Sequence, residues 1–281
     1  MLNLDHFKAR PFSASAGKAF RKSPKHMVKY YTDPRKSTDA FLLGSLAEDM
    51  LLIPEKFEEK YITFDSEKRP EPLKSFSSTK NKAWKADMYS KSGDKTIVDV
   101  EILKKAKMMA ESAMSIDEIR KYVEAKVNRN IRLNWTDKKT GIPCIGYSDF
   151  QSRLFDENFV FEVKTSKDGD PDNGFLREAI KFDYPFQIGM YAEGYHKMKF
   201  MFPNFVFLVM ENVEPFNASL IYCDNKFVND ARAEVRGTLN ALKMCIDNDS
   251  WGSGYEFRLM SRDYFSMNLP PYYRSIFKGY E

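Results

Sequence analysis

Long apolar runs are missing from this chain. No stretch approaches the roughly twenty consecutive apolar residues that a helix needs to cross a bilayer, and the opening Met1-Leu2-Asn3-Leu4-Asp5-His6 lacks the basic-then-apolar order of a secretory signal. Cysteine is scarce as well. Cys144, Cys223 and Cys245 are scattered and odd in number, which argues against a zinc or iron–sulfur cluster and fits a reducing compartment. The three histidines, His6, His26 and His196, are too dispersed to nominate as ligands. A net charge of only +4 excludes the domain-wide basic footprint of many nucleic-acid-binding proteins. What remains is a chain of 281 residues with the composition of a globular protein, long enough for one substantial core, and expected in the cytoplasm with no membrane partner.

Charge is nevertheless unevenly spread. Lys18, Arg21, Lys22, Lys25, Lys29, Arg35 and Lys36 make the first forty residues basic, and Phe12, Phe20, Tyr30 and Tyr31 are interleaved with them. Such a mixture suits a phosphate backbone and stacked bases, although a basic helix face is often merely solvated. Residues 13–31 read as a helix opened by Ser13 or Ser15, and a second helix spans about 37–52 before Pro54. The stretch from about 65 to 94, rich in Lys, Ser and Pro, reads as a mobile surface excursion on a single domain that fills residues 1–281 and begins with a basic helical region over about 1–60. A helix over 98–113 follows, and Ser115-Ile116-Asp117-Glu118 has the form of a capping box opening a short one. The period then changes to two. Strands are expected at 125–135, 142–155 and 158–165, helices at 174–182 and 185–198, strands at 203–211 and 216–223, and a helix at 225–247. This order predicts an α/β fold with a mixed central sheet flanked by helices.

Chemistry concentrates between Gly146 and Lys164. A turn at Asp156-Glu157-Asn158 would set Asp149 and Glu162 side by side on adjacent strands, and in the second strand Glu162 and Lys164 share a face while Val163 points the other way. Two carboxylates there suit a hard divalent cation such as Mg²⁺, with Lys164 placed to orient an attacking water. Charged strand residues are often simply solvated, but these interrupt the apolar run Asn158-Phe159-Val160-Phe161, where burial is costly without a partner.

Several further segments align with this motif in order and spacing. They are Phe12-Ser13-Ala14-Ser15-Ala16-Gly17, Ser23-Pro24-Lys25-His26, Leu43-Gly44-Ser45-Leu46-Ala47-Glu48, Ile53-Pro54-Glu55-Lys56-Phe57, Trp135-Thr136-Asp137, Tyr184 with Gln187 and Tyr191, Glu211-Asn212-Val213-Glu214-Pro215 and Trp251-Gly252-Ser253-Gly254-Tyr255. With them the chain resembles the RecE-type exonucleases of phages and prophages, in the PD-(D/E)XK superfamily that also holds lambda exonuclease and the RecB nuclease domain. The resemblance implies a Mg²⁺-dependent nuclease, with Mn²⁺ able to substitute, that removes one strand of double-stranded DNA from its 5′ end and leaves a 3′ single strand for recombination. It also implies a bacterial host, a single-strand annealing partner of the RecT or beta type, and a homo-oligomeric ring around the DNA.

Residue by residue, the resemblance makes Asp149 and Glu162 the metal carboxylates, the Val163 backbone carbonyl a further ligand and Lys164 the water-positioning group. Gln187 stands beside that lysine and the DNA strand. Many relatives carry histidine where Glu48 stands, so Glu48 is a candidate metal ligand and Asp49 an alternative; Gly44, four residues before Glu48, would let the helix approach the sheet. Tyr184, Gln187, Tyr191 and Tyr195 fall on one helix face, Tyr184 and Tyr191 being DNA-contact candidates and Tyr195 a core residue. Ser13 and Ser15, with Lys18, Arg21 and Lys22, could bind a 5′-phosphate at a helix N-terminus, or a serine could only cap the helix. Two other readings stay open: a RecB-like or Cas4-like repair nuclease, and a catalytically idle DNA-binding protein that keeps the fold. The lack of a four-cysteine cluster argues against the Cas4-like form, and the intact Asp149, Glu162 and Lys164 argue against the idle one.

Overall fold

A computed structural model of the protein describes residues 2–33, 38–71, 78–172, 174–199 and 202–252. Arg35, Lys36 and the closing Ser253-Gly254-Tyr255, with the tail beyond, lie outside the described residues. The chain begins with Leu4–Ala9 (α1), Phe12–Ser13 (β1), Ala14–Lys22 (α2), Pro24–Thr32 (α3) and Asp39–Leu52 (α4). Phe57–Lys60 (α5), Tyr61–Phe64 (β2), Thr79–Ser92 (α6), Thr96–Asp99 (β3), Val100–Ser115 (α7) and Asp117–Glu124 (α8) follow. Then come Lys126–Thr136 (β4), Pro143–Leu154 (β5), Glu157–Ser166 (β6), Gly174–Lys181 (α9), Tyr184–Lys199 (α10), Asn204–Glu211 (β7), Ala218–Cys223 (β8) and Asn225–Asp247 (α11).

Six strands form the main sheet, in the order β1-β5-β6-β7-β8, with β4 on the opposite edge of β5. β5 is antiparallel to β4 and β6, β6 is parallel to β7, and β7 is antiparallel to β8, so the sheet is mixed as expected. Its two faces bury separate apolar clusters. Val160, Phe205, Phe207 and Val209 pack with α2, α10 and α11, while Phe150, Phe161, Val163, Val206 and Leu208 pack with α4, α7 and α8. The β5–β6 hairpin turns at Phe155 and Asp156, both at positive φ (52° and 62°), one residue earlier than expected, because a two-residue loop of this hand matches the strand twist. No helix among the described residues is long and apolar enough to cross a membrane.

Four expectations need correction. The helix read over 13–31 is two helices broken at Ser23: Pro24 has no N–H to continue a helix and takes a first-turn position, and the Ser23 hydroxyl accepts from His26 N at 3.2 Å. The Ser115 capping box does not form, since Ser115 ends α7 with its Oγ donating to Ser112 O at 2.7 Å, and α8 starts without a side-chain cap. The stretch over 65–94 holds a regular helix, α6, tied down by buried Asn81, whose amide exchanges bonds of 3.0 and 2.9 Å with the backbone of Glu71. Finally, Phe12, Phe20 and Tyr31 are buried in the core, so the N-terminal aromatics do not form a stacking surface beside the lysines.

Candidate active site

The site arises from an interruption in strand pairing. On the edge away from β4, β5 pairs with β1 only at Cys144 and Ile145, and with β6 only from Phe150 onward. Residues 146–149 therefore face a gap, and the Asp149 carboxylate fills part of it by accepting from Val163 N at 2.7 Å. A strand residue turns its N–H and C=O to the same edge, so the Val163 carbonyl also faces this opening. Beside it, Tyr191 lies against Gly146, where a Cβ would come within 3.1 Å of the ring.

A cavity of about 380 Å³ opens here, lined by Glu48, Asp149, Glu162, Lys164, Tyr184 and Gln187, with Phe41 and Gly44 of α4 at its wall. The four residues of the predicted catalytic set are thus together. Lys164 Nζ bonds Glu162 Oε1 at 2.5 Å, and Gln187 Nε2 donates to the same oxygen at 2.5 Å and to Tyr191 Oη at 2.7 Å. Lys18 reaches in from α2, donating to Gln187 Oε1 at 3.2 Å. The ammoniums of Lys18 and Lys164 both sit over the Tyr184 ring, 5.0 and 4.8 Å from its centre. Tyr184 thus faces both cations, whereas Tyr191 is buried behind Gln187 and supports it.

Electrostatics follow from crowding. Burial raises the Asp149 proton affinity well above the usual carboxylate range, and the charges of Glu162 and Glu48 push it further the same way. Glu48 is raised too, chiefly by burial, with Arg129 opposing. Burial would lower Lys164, but Glu162 and Asp149 outweigh it and hold the ammonium more firmly protonated. Lys18 goes the other way, to about 8, because burial and the Lys164 charge disfavour its ammonium.

Glu162 Oε2 is buried without a hydrogen-bond partner, an unusual and costly state that a cation would relieve. Three carboxylates and a strand carbonyl around one cavity form an all-oxygen donor set of the kind hard divalent cations take. They do not converge as they stand: among the described residues, no group of three or more His, Cys, Asp or Glu side chains is disposed to hold a metal ion. The protein's own cations hold them apart, Lys164 drawing Glu162 and Arg129 drawing Glu48 at 3.1 Å. The donor chemistry fits a divalent cation, with Lys164 and Arg129 as the groups that would yield.

Glu48 and Asp49 part company. Glu48 lines the cavity, while Asp49 turns to Lys60 Nζ and Tyr61 Oη, each at 2.7 Å, and to Arg129. Burial would raise Asp49, but those partners outweigh it and hold the carboxyl ionised. Gly44 does not bring the helix close to the sheet, since a Cβ there would meet Thr165 Oγ1 at an ordinary 3.6 Å. Ser13 caps α2, accepting from Ala16 N at 3.3 Å, and Ser15 is exposed; neither lines the cavity. Arg21 lies outside it, its guanidinium bonded to Asp183 at 2.7 Å and Glu234 at 2.5 Å. Tyr195 is a core residue bonded to Ser148 at 3.1 Å. Arg129 escaped the sequence reading because its place follows from its β4 pairing opposite Phe150, next to Asp149.

Residues 13–256 match a family described as a PDDEXK-like domain of unknown function, DUF3799. The chain belongs to that family. A crystal structure of a candidate exonuclease from Eubacterium rectale aligns with this PDDEXK-like domain at a TM-score of 0.56 and 12% identity, over 89% of this chain and 87% of that one, a likeness of fold. The solved structure of SSO0001, at 16% identity over 70% of this chain and 84% of its own, has a TM-score of 0.29, too low to carry an argument. No curated protein matches the chain. The PDDEXK-like domain therefore has a nuclease-type fold, with its mixed sheet and flanking helices.

Proposed function

We propose that the PDDEXK-like domain is a divalent-metal-dependent deoxyribonuclease that degrades double-stranded DNA from an end. The observation that carries this reading is the opening between β5 and β6, where Asp149, Glu162 and Lys164 line one cavity with Glu48 and Gln187. Asp149, Glu162, Glu48 and the Val163 carbonyl would hold Mg²⁺, or Mn²⁺ in its place. When bound, the cation neutralises phosphate charge and makes a coordinated water more acidic. Lys164 orients the attacking water and holds a proton beside the scissile phosphate at Nζ. Gln187 fixes the Glu162 carboxylate, and Tyr191 fixes Gln187. Lys18 and Tyr184 form the wall on which the DNA backbone would lie, a buried ammonium being a strong partner for a phosphate.

The finer reading is a 5′→3′ exonuclease that leaves 3′ single strands for recombination by annealing, as a ring-shaped homo-oligomer working with a single-strand annealing protein in the bacterial cytoplasm. It rests on the resemblance to RecE-type enzymes. Linear duplex DNA labelled separately at each 5′ and 3′ end, incubated with Mg²⁺ or EDTA beside a closed circular plasmid, tests it. Expected are early loss of the 5′ label, an intact circle and no reaction in EDTA. Equal digestion of circle and linear DNA would make the enzyme an endonuclease, and early loss of the 3′ label would reverse its polarity.

A further inference from the structure

A second cavity of about 380 Å³ lies under α6, where Phe64 of β2, Trp84 and Tyr89 of α6 and Ile97 of β3 meet the start of α4. Its walls are aromatic. Phe64 and Trp84 meet edge to face at 5.8 Å and 66°, and Tyr89 is 58% exposed with Lys85 Nζ 5.8 Å from its ring centre. Asp39 and Asp99 add hydrogen-bond acceptors. The helix above carries four exposed lysines, Lys80, Lys82, Lys85 and Lys91, and one acid, Asp87, which pairs with Lys91 at 2.6 Å. Flat apolar walls, acceptors for ring or amino N–H groups and exposed ammoniums on the same helix together match a base on its phosphate backbone, because stacking tolerates any base and lysines attract the phosphate charge. The volume suits one ring system, being near the lower end of the roughly 300–1,000 Å³ typical of ligand pockets.

The two cavities share a wall. Asp39 lines this one, while the next residues of α4, Ala40 and Phe41, line the catalytic pocket. A strand leaving that pocket need cross only the first turn of α4, past Phe41, which is 70% exposed. We propose that the α6 cavity binds an unstacked base of single-stranded DNA next to the catalytic pocket, with the α6 lysines holding the adjoining phosphates. The origin of the strand rests on the nuclease reading above; the affinity for bases does not.

The test is fluorescence anisotropy in EDTA, where no cleavage intervenes, comparing a thymidine oligonucleotide with an abasic strand of the same length and backbone. The unaltered protein should bind the base-bearing strand roughly tenfold or more tighter, the scale of one base–aromatic stack. Tyr89→Ala, at an exposed position that leaves the fold alone, should remove much of that preference and leave abasic binding unchanged. Trp84→Phe should reduce it while keeping the contact with Phe64. Equal affinity of the unaltered protein for both strands would overturn the proposal, and so would a preference that survives both substitutions. In the Mg²⁺ digestion described above, no hydrolysis with the preference intact would remove the nuclease reading and leave the base site standing, whereas hydrolysis without the preference would do the reverse.

Discussion

Lys164→Met removes one ammonium while keeping most of the side-chain volume. In the unaltered protein that ammonium meets Glu162 at 2.5 Å, with side chains only 15% and 4% exposed, in a cavity that also holds Asp149 and Glu48. Its loss leaves the Glu162 carboxylate facing two others. Breaking a buried pair costs roughly 3–5 kcal/mol, and with Gln187 still donating and one side open to solvent the cost here should be about 2–3 kcal/mol. At roughly 2 °C per kcal/mol for a chain of this size, that is a Tm about 5 °C lower in EDTA. Adding Mg²⁺ should raise the variant's Tm more than that of the unaltered protein, because the carboxylates no longer have an internal cation to exchange; binding at about a hundredfold excess over Kd stabilises by about 2.7 kcal/mol. DNA cleavage, in contrast, should stay at least about 10²-fold down at every metal concentration, the loss expected of a group that acts on the water and not on folding. Scanning fluorimetry with a metal titration measures the first two effects. An unchanged Tm in EDTA, or the same Mg²⁺ gain in both proteins, would refute the picture of Lys164 standing in for a cation.

Substitutions at three further residues separate their roles. Glu48→Gln should raise the Mg²⁺ concentration for half-maximal cleavage, and Glu48→His should recover more activity with Mn²⁺ than with Mg²⁺, since imidazole prefers the softer ion; superimposable Mg²⁺ curves for the unaltered protein and Glu48→Gln would remove Glu48 from the metal site. Asp137, 2% exposed, accepts from Arg236 at 2.8 and 2.6 Å and from Thr140; burial alone would raise its carboxyl, but these bonds hold it at about 2. Its contribution, about 2 kcal/mol with Arg236 partly screened by solvent, is complete above the ordinary carboxylate range and lost as pH falls through about 2, so Asp137→Asn should flatten acid unfolding below about pH 4; an unchanged acid limb in a denaturation series would contradict this. Arg21→Ala should lower stability by about 1 kcal/mol through its partly exposed pairs with Asp183 and Glu234, and should leave the ratio of rates on 5′-phosphorylated and 5′-hydroxyl ends unchanged; a ratio shifted toward one by the substitution would return Arg21 to phosphate binding.

Strands β4 to β8 and the long helix α11 were legible because their apolar residues repeat with the period of the element, whereas β1, β2 and β3, two to four residues each, are too short to show one. β4 to β7 alternate or run apolar as buried strands do, and α11 carries its buried Ala231, Val235, Leu239 and Leu242 at helical spacing. Asp149, Glu162 and Lys164 were legible because charge inside an apolar strand needs a partner. The opening that gives them room was not, since it depends on the two-residue β1 ending where it does and on the β5–β6 pairing stopping at Phe150 opposite Phe161, pairings that no local pattern records. Arg129 was hidden for the same reason. The N-terminal aromatics misled because Phe12, Phe20 and Tyr31 fall among lysines in the sequence yet on the inner faces of short elements, whereas Trp84 and Tyr89, in the stretch read as a mobile surface excursion, face an open cavity.

The most direct measurement is the rate of linear duplex cleavage by the unaltered protein and by Asp149→Asn, in Mg²⁺ and in EDTA, with duplex binding followed in Ca²⁺. Cleavage by the unaltered protein in Mg²⁺ alone is expected, with a fall of at least roughly 10²-fold in Asp149→Asn at little change in binding. No cleavage with Mg²⁺ or Mn²⁺, or an Asp149→Asn rate equal to that of the unaltered protein, would contradict phosphodiester hydrolysis at the opening between β5 and β6.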